Sequence, residues 1–277
     1  MKTFDKFLDK SSLSEFIIIC PSGEVPFVNE QIVNKYPEFP WKIYNDSQLL
    51  DNGVSAGWAK QQLSKMAISQ LVKTEHYLII DDDTYLTRKF DYNSLFASDG
   101  KLRMNKINID FPFFFLWSNQ LLDYDFDLVQ KAEYVMGITP EIFHTQTVKD
   151  IIKYLVTKYG KNKQWQLKLE KNKFTEYGVY WIWLLKQGTY KDLYTSTSEK
   201  LYDHAVTDST MDLKERVKAA FTDSDSDSGA PDSGAPDSGA PNSGAPNSGA
   251  PPFFFSFIQS SLDYPISTIK NEIELHL

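Results

Sequence analysis

Hydrophobic positions along the chain follow two patterns. Short unbroken apolar runs, stopped by Pro, Gly, Ser or acidic residues, predict buried strands at Phe16–Cys20, Trp41–Tyr44 and Tyr77–Ile80. Phe113–Trp117 and Tyr134–Met136 read as further strands by the same criterion. Between these runs the apolar residues recur every three or four positions. Leu63, Met66, Ala67 and Leu71 predict a helix from Trp58 to about Val72, with Gln61, Gln62, Lys65 and Ser69 on its other sides. Val148, Ile151, Ile152 and Leu155 predict an amphipathic helix over Val148–Val156. Thr175–Lys186 reads as a third helix, with Thr175 placed to cap it and Tyr177, Tyr180, Trp181 and Trp183 mostly turned to a core. Strands alternating with helices predict an α/β fold, a sheet flanked by helices.

The pattern breaks at Ser228–Pro252, where the chain reads SGAPD, SGAPD, SGAPN, SGAPN, SGAPP. Such a repeat has no side chains able to bury area and offset chain entropy, so a disordered spacer is expected over residues 223–252. The DSDSDSG stretch before it is no calcium loop: its glycine comes one position late, and Gly234 stands where a bidentate Glu belongs. After the repeat, Phe253–Ile258 is strand-like and Tyr264–Leu277 carries a helical apolar spacing. Apolar elements on both sides of a spacer predict one domain, residues 1–222 and 253–277, with the repeat inserted.

Charge sharpens this division. The 277 residues carry a formal charge of −8, and five aspartates between Asp223 and Asp237 account for most of it. What remains is near neutral, and no basic stripe suits nucleic acid. A single cysteine, Cys20, permits no internal disulfide and favours a reducing compartment. The first 15 residues are polar, and no apolar run approaches the roughly 20 residues needed to span a bilayer. A soluble, cytoplasmic protein without a membrane span is expected.

Candidate chemistry concentrates at Tyr77–Leu86, YLIIDDDTYL, where an apolar strand stops at Asp81, Asp82 and Asp83. Three successive carboxylates repel one another unless solvated or sharing a cation. Ligands of open α/β sheets bind at the carboxyl ends of strands, and alternate residues Asp81 and Asp83 can converge there on Mg²⁺ or Mn²⁺. The D-x-D-x-[T/V] phosphatase pattern fails, because Tyr85 holds its fifth position. No G-x-x-x-x-G-K-[ST], H-E-x-x-H, Cys pair or G-x-S-x-G occurs.

Taken in order, G-W-x-x-Q-Q-x-x-K (Gly57, Trp58, Gln61, Gln62, Lys65), D-x-D-T (Asp81, Asp83, Thr84), F-H-T (Phe143, His144, Thr145) and T-E-Y-x-x-Y (Glu176, Tyr177, Tyr180) form a spaced set. The set resembles small glycosyltransferases of the GT-A fold, the type catalogued as domain of unknown function 6492 in bacteria and large DNA viruses. It spans about residues 14–205 and resumes at 253–275, skipping the repeat. The resemblance implies a single GT-A-like, Rossmann-like domain with a central, mostly parallel sheet. It implies transfer of a sugar from a nucleotide-diphosphate donor to a glycan or other hydroxyl acceptor, dependent on Mn²⁺ or Mg²⁺.

In that reading Pro21 and Ser22 border the base and ribose, and Asp81 faces the ribose or the cation. Asp83 ligates the metal, with Asp82 beside it on the donor side and His204 as a late third ligand. Trp58, Gln61 and Gln62 face the donor, Lys65 offsets phosphate charge, and His144 contacts sugar or diphosphate. Glu176 is the candidate base toward the acceptor. One or two of the helix aromatics would stack on a sugar ring. The same metal site would also serve a nucleotidyl or phosphoryl transferase, and a non-catalytic sugar-binding module is the reading from outside enzymology.

Overall fold

A computed structural model of the protein describes residues 1–50, 53–54, 57–82, 84–107, 112–125, 127, 135–137, 139–161, 163–172, 174–196, 201–203 and 255–257. Nine strands occur among them: β1 Phe16–Cys20, β2 Trp41–Asn45, β3 His76–Ile79, β4 Thr84–Leu86, β5 Lys106–Ile107, β6 Val135–Met136, β7 Glu141–His144, β8 Tyr202–Asp203 and β9 Phe255–Phe257. The helices that frame them are α1 Lys2–Phe7, α2 Val25–Val28, α3 Asp46–Leu49, α4 Gly57–Ala67, α5 Pro112–Leu122, α6 Thr145–Tyr159, α7 Lys163–Lys171, α8 Glu176–Gln187 and α9 Tyr190–Leu193. The protein is mixed α/β. Among the described residues no helix is long and apolar enough to cross a membrane.

Pairing divides the described strands into four small sheets. β1 and β2 run parallel, with Phe16 opposite Trp41 and Cys20 opposite Asn45. β3 and β7 run antiparallel, with His76 opposite His144 and Ile79 opposite Glu141. β9 lies between β4, which it pairs antiparallel, and β8, which it pairs parallel. The strand that follows the repeat in sequence thus hydrogen-bonds to strands that precede it. β5 and β6 form the remaining antiparallel pair.

The predicted periodicities place most helices. All four apolar positions expected on α6 are buried: Val148, Ile151, Ile152 and Leu155. Thr175 caps α8, its hydroxyl accepting the Gly178 N–H at 2.9 Å, and Gly188 closes the helix at φ 70°, a conformation that favours glycine. Tyr177, Tyr180 and Trp181 are buried. Tyr180 stacks on Phe143 of β7 with ring centroids 4.1 Å apart, and its hydroxyl meets that of Tyr194 at 2.8 Å. This contact ties α8 to β7 at the centre of the core.

Two expectations are corrected. Phe113–Trp117 is not a strand but the first half of α5. A short apolar run does not distinguish the two, and here Pro112 opens the run where a helix tolerates it while Leu121 and Leu122 carry the buried surface on beyond strand length. On α4 the regular helix ends at Ala67 and tightens to a 3₁₀ turn over Ile68–Gln70. Leu71, just past that turn, is exposed, while Ser69 within it and Gln62 within the regular helix are buried, although the helical wheel had placed both away from the core. The expected helix Tyr264–Leu277 and the repeat lie outside the described residues.

Candidate functional site

Among the described residues a cleft of about 1100 Å³ opens beside β1 and β3. One wall is β1 with its end at Cys20 and Pro21. β3, continuing to Asp81 and Asp82, also lines it, as does α4 with Gly57, Lys60, Gln61, Ser64 and Lys65. A second cavity, of about 300 Å³, between Gln48, Gln70 and Trp165 has no ionisable side chain in its lining. Catalytic or ionic chemistry therefore points to the larger one.

At the end of β3 the backbone is fixed by Thr139, whose hydroxyl accepts the Asp81 N–H at 3.0 Å and donates to the Ile79 carbonyl at 3.4 Å. The strand is thereby stopped at the first aspartate. Lys65 reaches Asp81 Oδ1 at 2.6 Å and Glu176 Oε1 at 3.0 Å, so one ammonium joins α4, the β3 end and the N-terminus of α8. The same ammonium lies 5.4 Å from the centroid of the Tyr177 ring. Asp81 is 37% exposed, Lys65 15% and Glu176 not at all. Gln62 completes the arrangement: with its amide nitrogen turned inward it donates to the Glu176 carboxylate.

Burial and charge act in opposite directions on this group. Desolvation pushes the Glu176 carboxyl up, and the Lys65 ammonium pulls it back without cancelling the effect. Burial would lower Lys65, but Glu176 and Asp81 together outweigh it and hold Lys65 above its ordinary value. Lys65 is therefore charged at any physiological pH. Seven carboxylates line the cleft, among them Glu24, Asp46, Asp81 and Asp82, against Lys60 and Lys65. Both lysines are engaged by acids, Lys60 with Asp46 at 3.3 Å. This excess of carboxylates disfavours an unaccompanied anion in the cleft.

The residues singled out from sequence are placed in different ways. Pro21, Gln61, Lys65, Asp81 and Asp82 line the one cleft. Gln62 and Glu176 sit against it but face each other and Lys65 rather than open space. Full burial of the Glu176 carboxylate suits a counter-ion that orients Lys65, not a base open to an acceptor. Ser22 is exposed and its hydroxyl lies 3.5 Å from that of Ser47, and Trp58 is 45% exposed at the first turn of α4. His144 is not brought to Asp81. The antiparallel register sets it opposite His76, at the far end of β3. Asp83 and His204 lie outside the described residues. The donor set at the strand end, carboxylate oxygens open to the cleft, is chemically suited to a hard divalent cation, with Asp81 and Asp82 the described members.

Sequence reasoning gave no role to Thr139 as the stop of β3 or to Glu141. Glu141 is fully buried at the start of β7, accepts the Asn105 N–H at 3.2 Å, and is pushed well above the usual carboxylate range by desolvation. No spacing rule announces either residue, since both act through contacts distant in sequence.

A comparison with curated proteins finds no match. Residues 1–227 match the family of unknown function DUF6492, which takes in the cleft, the strand-end aspartates and α8. The chain belongs to the DUF6492 family.

Proposed function

We propose that the protein is a metal-dependent glycosyltransferase of GT-A type, moving a sugar from a nucleotide-diphosphate donor to a hydroxyl of a glycan or a smaller acceptor. The observation that carries this reading is the convergence of the β1 end at Cys20–Pro21 and the β3 end at Asp81–Asp82 on one cleft of about 1100 Å³. That volume accommodates a nucleotide sugar, and strand ends are where α/β proteins bind such ligands. The parallel β1–β2 pair with helical segments between its strands is compatible with the start of a nucleotide-binding half-fold and supports this reading. The pairing of β9 with β4 and β8 supports reading the repeat as an insertion within a single domain.

In this account Asp81 and Asp83 would hold Mn²⁺ or Mg²⁺, which when bound supplies Lewis-acid neutralisation of the leaving nucleoside diphosphate. The acidity of the cleft explains why the donor cannot enter without it. Lys65 is a positioning residue: anchored by buried Glu176, it fixes the Asp81 carboxylate and adds a fixed positive charge at the strand end. Gln61, exposed on the cleft wall, is free to donate to the donor. The acceptor base is not Glu176 in this arrangement, because its carboxylate is sealed from the cleft.

Product analysis tests the assignment. The full chain, incubated with Mn²⁺ and a panel of nucleotide sugars, is expected to release nucleoside diphosphate and free sugar slowly in the absence of acceptor. Asp81→Asn and Asp83→Asn are each expected to lower that rate on the order of 10²-fold. Release of sugar phosphate would instead favour nucleotidyl or phosphoryl transfer, and turnover unaffected by both substitutions would refute the site.

A further inference from the structure

The end of the cleft away from Asp81 contains a second cluster of ligating side chains. His76 and His144 are direct partners in the antiparallel β3–β7 ladder, so both imidazoles project from the same face of the pair. Their ring centroids are 5.5 Å apart. Glu75 precedes His76, its carbonyl bound by the Thr145 N–H at 2.8 Å, and its exposed carboxylate turns to the same side. One ligand atom from each of Glu75, His76 and His144 lies within 4.8 Å of the others. Tetrahedral zinc, with bonds of about 2.0–2.1 Å, needs ligand atoms roughly 3.4 Å apart. Closing that gap calls for side-chain movement, for which exposed Glu75 has the freedom.

We propose that Glu75, His76 and His144 form a binding site for a zinc-class transition-metal ion. Two further observations support it. The Nδ1 of His76 is buried with no hydrogen-bond partner among the described residues, an arrangement that costs free energy unless something binds that ring. His144 already has the kind of orienting partner that metal-bound histidines use: its Nδ1 meets the Thr147 hydroxyl at 2.8 Å. The same Nδ1 caps α6 by accepting the Thr147 N–H at 3.3 Å, so ligation through Nε2 takes a change of tautomer, in which Nδ1–H donates to the Thr147 hydroxyl in place of that cap and the Nε2 lone pair is freed. The donor chemistry separates this site from the strand-end aspartates. Two imidazoles and one carboxylate select zinc, copper or nickel, whereas the all-carboxylate end selects magnesium or manganese. From His76 to Asp81 is five residues, roughly 16 Å of extended chain, so one ion cannot serve both. Three protein ligands leave a fourth position open toward the cleft. The inference does not depend on the glycosyltransferase reading.

The test uses the full chain stripped by a chelator and titrated calorimetrically with Zn²⁺, with Co²⁺ absorption as a second probe of tetrahedral N/O ligation. The expected result is one tight ion per chain. His76→Ala and His144→Asn, the latter keeping an N-cap acceptor for α6, should each weaken binding at least about 100-fold. Thr147→Val should weaken it about 10-fold through loss of the orienting bond. Asp81→Asn should leave it unchanged. Circular dichroism of each variant guards against loss of fold. Absence of stoichiometric Zn²⁺ binding would overturn the proposal. So would binding that survives both histidine substitutions, or binding abolished by Asp81→Asn.

Discussion

Lys65 is shared by two carboxylates of unequal exposure, and the inequality decides what each contributes. The Asp81 arm is more than one-third exposed, so solvent screens it and its share of stability is small. Glu176 has no exposed surface, and without Lys65 its charge would be left buried and unpaired. Lys65→Met should therefore destabilise the fold by about 3 kcal/mol, and Glu176→Gln by less. A double-mutant cycle by urea denaturation should show coupling of at least ~1 kcal/mol, while additive losses would mean the pair does not act as a unit. Glu141 gives a pH signature of opposite origin. Its folded-state carboxyl titrates above the ordinary value of 4.5, so between that value and its raised one the native state holds a proton the unfolded chain has lost. Stability must then fall as pH rises from 4.5 upward, by at most about 1.4 kcal/mol per pH unit for one proton. Glu141→Gln removes this dependence, so its melting temperature should gain on the parent as pH rises above 4.5. Parallel curves would show that Glu141 is not the group responsible.

At the scale of elements, burial periodicity made α6 and α8 readable and left α5 ambiguous. Val148, Ile151, Ile152 and Leu155 repeat at helical spacing with polar residues between them, and all four are buried as that spacing requires. Phe113–Trp117 has no polar residue to reveal a period, so only Pro112 before it and Leu121–Leu122 after it carried the information. The strand-end position of Asp81 was legible because an apolar run stops there. Its partnership with Lys65 and Glu176 was not, because three separate elements must fold before those side chains meet. His144 shows the same limit: its place is set by the register of β3 against β7, and a motif alone does not encode register. β9 makes a test at this scale. Ser256 pairs with Tyr85 on one side and Asp203 on the other, so proline there removes a ladder donor from a central strand. Ser256→Pro should cost about 3 kcal/mol. Cutting the repeat from five copies to two should change stability by less than about 1 kcal/mol, because closure entropy grows only slowly with loop length. A large loss on shortening would mean the repeat is more than a spacer.

For the whole molecule, the distribution of charge matters more than its sum. Most of the −8 resides in aspartates between 223 and 237, outside the described residues, while the cleft has its own excess of carboxylates over lysines. On the proposed function, a nucleotide-diphosphate donor enters this acidic cleft together with a divalent cation, and that requirement is the central claim. Its most direct test is the thermal stability of the full chain against a panel of nucleotide sugars, each with and without Mn²⁺. At least one donor should raise the melting temperature in the presence of Mn²⁺ and not in its absence, and Asp81→Asn should abolish the shift. No shift with any donor, or a shift that neither Mn²⁺ nor Asp81→Asn alters, would contradict the account.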